Sequence, residues 1–196
     1  MLPLGPHDLC SSSAREARQL FEAVARRPSV AGAAFHGDEE RTFGLWGDVD
    51  GCTTAWRALP PGDEAVLASV VHVEGSAYRR PGAHMLVTRD AARVGTISGG
   101  CLEADVVRRA WWHTATGRPV VRTYDTMSEG DARWKFGLGC QGIIQVLLER
   151  VTSPSTQEYL AFLAAHRATR RAAVAATVIR TAERSTLAVG DRLLVD

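Results

Sequence analysis

Laid on itself with a shift of 108 residues, from Val66 to Val174, the chain repeats a whole strand–loop–strand pattern without a gap. Val66-Leu-Ala-Ser-Val-Val falls on Val174-Ala-Ala-Thr-Val-Ile, Gly82 on Gly190, and Met85-Leu-Val on Leu193-Leu-Val. One apolar run resembling another proves little, because buried strands look alike. Strand, loop, glycine and second strand keeping one register constrain the fold far more, and they read as a duplicated unit. The duplication is partial. Met85-Leu-Val is followed by a partner segment, Arg93–Ile97, and a glycine–cysteine loop, whereas Leu193-Leu-Val is followed by Asp196. A strand without its hairpin partner presents unpaired N–H and C=O groups, so a shortened or fragmentary second unit and a two-fold homodimer are expected.

The rest of the pattern fills in around these strands. Ser11–Arg26 reads as a helix, with Ser13 and Glu16 as a capping box and Ala17, Leu20, Phe21 and Val24 on its apolar face. Gly32–Gly51 reads as loop with a short strand, and Thr53–Leu59 as one or two helical turns. Ala65–Val73 is almost wholly apolar, as a strand buried on both faces would be. His84–Thr88 and Arg93–Ile97 form a hairpin through Arg89–Ala92, and Cys101–Thr116 is a helix with Leu102, Val106 and Ala110 on one side. Pro119–Tyr124 and Ile143–Val151 are strands, and Ser153-Pro154 opens a helix to about Arg167. Ala172–Thr181 and Arg192–Val195 are the last strands. The expected class is α+β, a mixed β-sheet with flanking helices and no complete Rossmann domain. Its divisions are a helical and loop extension over 1–60, a central unit over 61–152 and the start of a second over 153–196.

Bulk properties remove several functions. Hydrophobic residues at 45% and charged residues at 23% suit a packed globular chain. A net charge of +1 offers no basic field for nucleic acid. No window nears the ~18–20 apolar residues that span a bilayer, and Met1–Cys10 has no basic-then-apolar leader. No membrane partner and a cytoplasmic location are expected. Lys135 is the only lysine, which coding bias explains most simply, although arginine forks also suit phosphate and carboxylate. Cys10, Cys52, Cys101 and Cys140 are too scattered for a disulfide framework, and isolated cysteines are usually buried small hydrophobes.

Three loops carry chemistry. Ile97-Ser-Gly-Gly-Cys-Leu-Glu103 leads from a strand into a helix. Free amides there attract anions, Cys101 would have a lowered pKa, and Glu103 can cap the amides. Phe136-Gly-Leu-Gly-Cys-Gln-Gly142 again sets glycines and a cysteine before a buried strand. Gly75-Ser-Ala-Tyr-Arg-Arg-Pro-Gly82 holds two arginines that could clamp an anion, although Arg–Arg on a loop is more often solvated surface. His72, His84 and His113 have no metal-ligand spacing and read as structural; Trp111, Trp112 and Trp134 read as core or interface.

Together these loops resemble the XdhC/CoxI family of accessory factors for xanthine dehydrogenase and related molybdenum hydroxylases. Such proteins show Gly-Ser-x-Pro-Arg-Arg-x-Gly, then Gly-Ser-x-Ser-Gly-Gly-Cys-x-Glu, then Gly-Leu-x-Cys-Gly-Gly, and the similarity here runs from about Ala65 to Val151. The resemblance implies a chaperone rather than an enzyme. It would bind the molybdenum cofactor (molybdopterin) as cargo, protect it, assist its sulfuration and deliver it to an apo molybdenum hydroxylase, with a cysteine desulfurase as a further partner. The matching cofactor-binding positions are Ser76, Arg79, Arg80, Gly82, Ser98, Gly99, Gly100, Cys101, Glu103, Gly139, Cys140 and Gly142. Cys101 and Cys140 are the candidate reactive thiols and contacts to molybdenum. Tyr78 stands where the family has proline, Gln141 where it has glycine, and the family's Rossmann-like continuation does not follow.

Two other readings remain beside this one. Cys101 or Cys140 could serve a cysteine-dependent sulfur- or acyl-transfer enzyme, for which no histidine is placed as base. The chain could also be a non-binding relative acting as an interaction module.

Overall fold

A computed structural model describes residues 30–36, 45–100, 102–125, 142–169, 173–182 and 185–195, with side chains from residue 48 onward. The expected helix Ser11–Arg26, Cys10, Cys101, Trp134, Lys135 and the loop from Phe136 to Gln141 lie outside the described residues. The elements in order are β1 (Val30–His36), α1 (Leu45–Arg57), β2 (Ala65–Gly75), β3 (His84–Thr88), β4 (Arg93–Gly95) and α2 (Glu103–His113). Then come β5 (Val120–Asp125), β6 (Gly142–Arg150), α3 (Pro154–Thr169), β7 (Val174–Thr181) and β8 (Arg192–Val195).

The α+β class holds, but the single mixed sheet is replaced by two sheets, ordered β4-β3-β2-β6-β5 and β1-β7-β8. Every strand pair among the described residues is antiparallel. The apolar run of β2 is buried on both faces as expected, because helices cover both. Val66, Ala68 and Val70 pack with Leu102, at the entry to α2, and with Val106 and Ala110 of α2. Ala65 and Leu67 pack with Cys52 of α1 and Tyr159 and Leu160 of α3.

The duplication is present in the backbone, bond for bond. In the first unit Val66, Leu67, Ala68 and Ser69 lie opposite Val87, Leu86, Met85 and His84. In the second, Val174, Ala175, Ala176 and Thr177 lie opposite Val195, Leu194, Leu193 and Arg192. Gly82 N–H donates to the Val70 carbonyl at 2.9 Å, and Gly190 N–H to the Val178 carbonyl at 2.9 Å. Both glycines have positive φ, 99° and 91°, which a side chain would strain. The partner strand follows the same rule: β2 is bulged between Val70 and His72 against β6, and β7 skips between Val178 and Arg180 against β1. Equivalent inner-face residues share core clusters, Leu67 and Ala175 with Leu86 and Leu194 in one, Val71 and Ile179 in another.

The two units are joined by a buried ion pair. Arg192 Nη1 donates to Glu149 Oε1 at 3.0 Å and Nη2 to Oε2, with both side chains almost wholly buried. The Arg192 guanidinium also lies 4.2 Å from the ring centre of Tyr159, whose hydroxyl is 3.0 Å from His84 Nε2. His84 and Arg192 are themselves equivalent in the repeat, so one tyrosine is shared by corresponding positions of both units.

Helix α1 is the main local surprise, since its first half falls within the stretch expected as loop. Gly51 depresses helix propensity, yet a Cβ there would lie 2.9 Å from Val94 Cγ1, so glycine is what lets the helix approach β4. Asp48, Val49, Cys52 and Thr53 form its buried stripe. The other elements agree with expectation within a few residues. The β3–β4 hairpin closes with Thr88 N–H donating to the Ala92 carbonyl at 3.0 Å, and Asp105 pairs with Arg109 at 3.1 Å on α2. Among the described residues no helix is long and apolar enough to cross a membrane.

Candidate functional site

The arginine loop, the described residues of the Ile97–Glu103 loop and the start of β6 gather at one end of the five-stranded sheet. Gly142 pairs with Gly75, and a Cβ on Gly142 would lie 2.3 Å from the Glu74 carbonyl and 2.9 Å from that of Ser76. Backbone approach of that kind admits only glycine. A Cβ on Gly99 would lie 3.5 Å from Cβ and Cγ of Tyr78, so the glycine loop lies against the arginine loop.

The expected anion cradle is already occupied by the chain's own carboxylate. Glu103 Oε1 accepts from Ile97 N–H at 3.0 Å, Ser98 N–H at 2.9 Å, Gly99 N–H at 3.2 Å and the Thr96 hydroxyl. Its Oε2 accepts from Gly100 N–H at 2.9 Å and from the Ser98 hydroxyl. Ser98 Oγ in turn accepts from Leu102 N–H at 2.9 Å, at the entry to α2. Burial alone would raise the Glu103 pKa; the donors from Ser98, Thr96 and the loop backbone outweigh it and hold the carboxyl at about 2. Glu103 therefore caps the loop, as its position suggested. Positive φ at Gly99 and Gly100, 96° and 128°, lets the amides turn toward it.

The arginine clamp divides. Along the loop Ser76, Tyr78 and Arg80 are exposed, while Ala77 and Arg79 are partly buried. Ala77 packs against the α2 core, and Arg79 Nη1 lies 3.5 Å from Asp48 Oδ2 on α1. Burial raises the Asp48 pKa, Arg79 opposes the shift, and Glu103 adds to it. Asp48 is a site residue that the sequence reading missed. Its signal was the helical spacing of Asp48, Val49, Cys52 and Thr53, masked by the surrounding glycines.

Among the candidate positions, Ser98, Glu103 and Gly82 thus serve the loop's own architecture, and Arg79 is tied to α1. Ser76, Arg80, Gly99 and Gly100 face outward, and nothing lies within 4 Å of a Cβ on Gly100. Cys101, Gly139 and Cys140 lie outside the described residues. Cys52 is wholly buried, donates to the Val94 carbonyl at 3.4 Å, and has its thiol pushed up to about 12 by burial, so it is an inert core residue. Among the described residues no three His, Cys, Asp or Glu side chains gather as a metal site.

Residues 58–125, which carry both loops and α2, match the model of the XdhC and CoxI family. A probable xanthine dehydrogenase component of Bacillus subtilis is 47% identical over 100 residues, covering 50% of this chain and 29% of that protein. The "Molybdenum cofactor insertion chaperone PaoD" of Escherichia coli is 36% identical over 99 residues, covering 50% of this chain and 30% of the relative. A solved structure described as a xanthine dehydrogenase from Bacillus halodurans superposes with a TM-score of 0.53 at 35% identity, over 65% of this chain and 37% of the other. The match spans under a third of each curated relative.

Proposed function

We propose that this chain carries the cofactor-handling part of an accessory factor for molybdenum hydroxylases, with residues 61–152 as the working unit. Its cargo is the molybdenum cofactor, which it protects, helps to sulfurate and passes to an apo-hydroxylase of the xanthine dehydrogenase type in the cytoplasm. The observation that carries this reading is the meeting of the arginine loop with Gly99 and Gly142 at one sheet end, the arginine loop and Gly99 lying within the segment that matches the family. The relative described as a molybdenum cofactor insertion chaperone supports it.

The residues fit such a cargo in part. Exposed Arg80 and Ser76 suit a phosphate, and the backbone at Gly100 is open, with nothing within 4 Å of an added Cβ. The amides of Ile97 to Gly100 do not, because Glu103 holds them. A pterin phosphate would therefore rest on the rim of the loops rather than in the helix-terminal nest. The cysteines Cys101 and Cys140 are the proposed contacts to the metal or its sulfur, with a cysteine desulfurase as the sulfur donor.

Incubation with molybdopterin released from a molybdenum enzyme, removal of free ligand and measurement of retained pterin tests the reading. Stoichiometric retention is expected; none at micromolar protein would remove it. Self-association is proposed through β8, whose outer edge has no neighbour in the sheet order among the described residues, and whose Leu193 and Val195 are 41% and 37% exposed. Light scattering giving a monomer mass at tens of micromolar would dispose of the dimer.

A further inference from the structure

The alternation along the arginine loop separates side chains that hold the loop from side chains that face outward. Ala77 and Arg79 point to the α2 core and to Asp48. Ser76, Tyr78 and Arg80 are the exposed members of the loop, a hydroxyl, an aromatic ring and a guanidinium at alternate positions that form its outward row. Tyr78 is the unusual member, with 64% exposure for a large aromatic side chain. It is also backed: a Cβ on Gly99 would lie 3.5 Å from Tyr78 Cγ and 3.8 Å from Cδ2. The glycine lets the tyrosine lie close against the loop backbone on one side while the other side stays open. Aromatic rings supported in this way accept flat π-systems, and an adjacent guanidinium adds charge-assisted bonding to a phosphate.

We propose that Ser76–Tyr78–Arg80 is the ligand-facing edge of the site, with Tyr78 stacking on a planar heteroaromatic ring of the pterin class and Arg80 taking its phosphate. Arg79, tied to Asp48, is a positioning residue that holds the row and does not touch the ligand. This deepens the cofactor-handling reading and rests on it for the biological identity of the ligand, but the row's preference for a phosphorylated, planar ring is testable by itself.

The probes are 6-hydroxymethylpterin and its phosphate monoester, titrated against the full chain and followed by pterin fluorescence quenching. The wild-type chain should bind both and prefer the ester. Tyr78→Phe should stay within about twofold, and Tyr78→Ala should weaken both probes about tenfold, the effect of one lost stack. Arg80→Gln should abolish the preference for the ester while leaving the unphosphorylated pterin unchanged. Tyr78 is exposed, so its alanine variant keeps the wild-type melting temperature. No quenching by the wild-type chain, or equal affinities in wild type and Tyr78→Ala, overturns the row. Retention of molybdopterin, measured separately, keeps the two readings distinct: retention equal in wild type and Tyr78→Ala leaves the function standing and the row refuted. Tyr78-dependent quenching without molybdopterin retention does the reverse.

Discussion

Replacing Glu103 should unfold the loop from within. Its carboxylate receives four backbone N–H groups and two hydroxyls while only 1% of the residue is exposed. Holding a glutamate at about 2 instead of 4.5 corresponds to about 3 kcal/mol of stability. The folded value is depressed, so this contribution is complete above the unfolded pKa and is lost as pH falls from about 4.5 through about 2. Glu103→Gln keeps the shape but turns an NH2 donor toward other donors, and should cost about 3–5 kcal/mol at pH 7. Urea unfolding measures this, and the difference between wild type and variant should shrink as pH is lowered toward 3. Glu103→Ala adds a sharper test. It opens a space lined by four amides, so about 0.1 M formate should raise its melting temperature and leave the wild type unmoved. A loss below about 1 kcal/mol in Glu103→Gln, with no formate effect in Glu103→Ala, would refute the claim that this carboxylate is the loop's internal anion.

Three further outcomes follow from burial and charge. Arg79→Ala should cost about 2–3 kcal/mol because it strands the buried Asp48, whereas Arg80→Ala should be neutral; Asp48→Asn, which removes the burial penalty on the carboxylate together with its pairing to Arg79, should stay within about 1 kcal/mol of wild type at pH 8. Equal costs in the two arginine variants, read by denaturant titration, would contradict the divided clamp. Arg192→Met should cost about 3–5 kcal/mol by leaving Glu149 buried and alone, and adding Glu149→Leu should restore most of it; a double variant no better than the single would discount the pair. Cys52 should resist iodoacetamide at pH 7.5 until the chain is unfolded, and native labelling within minutes, seen by peptide mass, would show that the thiol is neither buried nor raised.

The repeat was legible because it rests on backbone requirements that side chains advertise directly: apolar alternation, a glycine at positive φ, and a second apolar strand. The shift of 108 residues then carried register, loop bond and bulge without further information. The first half of helix α1 was not legible, because its glycine answers to Val94, a neighbour distant in sequence, rather than to helix propensity. The arginine loop and the Ile97–Glu103 loop stand where the sequence placed them, and Glu103 was recognised as a cap. What a sequence cannot give is how completely a cap consumes its donors: the nest was expected to hold a ligand and instead holds Glu103. Asp48 was missed for the same reason as α1, since a carboxylate amid glycines looks like solvated loop until the helix is seen to bury it. The described strand pairs are antiparallel where a mixed sheet was expected, because an apolar strand records that both faces are covered and not which way its neighbours run.

The inner faces of the two units meet residues from the same clusters, Leu67 and Leu86 from one, Ala175 and Leu194 from the other. During synthesis these partners emerge far apart in time. At roughly 5–20 residues per second, the 108 residues between Leu67 and Ala175 take roughly 5–20 s to be made. For that interval the nascent β2–β3 face lacks its second unit, and the most similar substitute is the same face on a neighbouring polysome-bound chain. Exchange of units between chains is thus the misassembly that this repeated architecture favours.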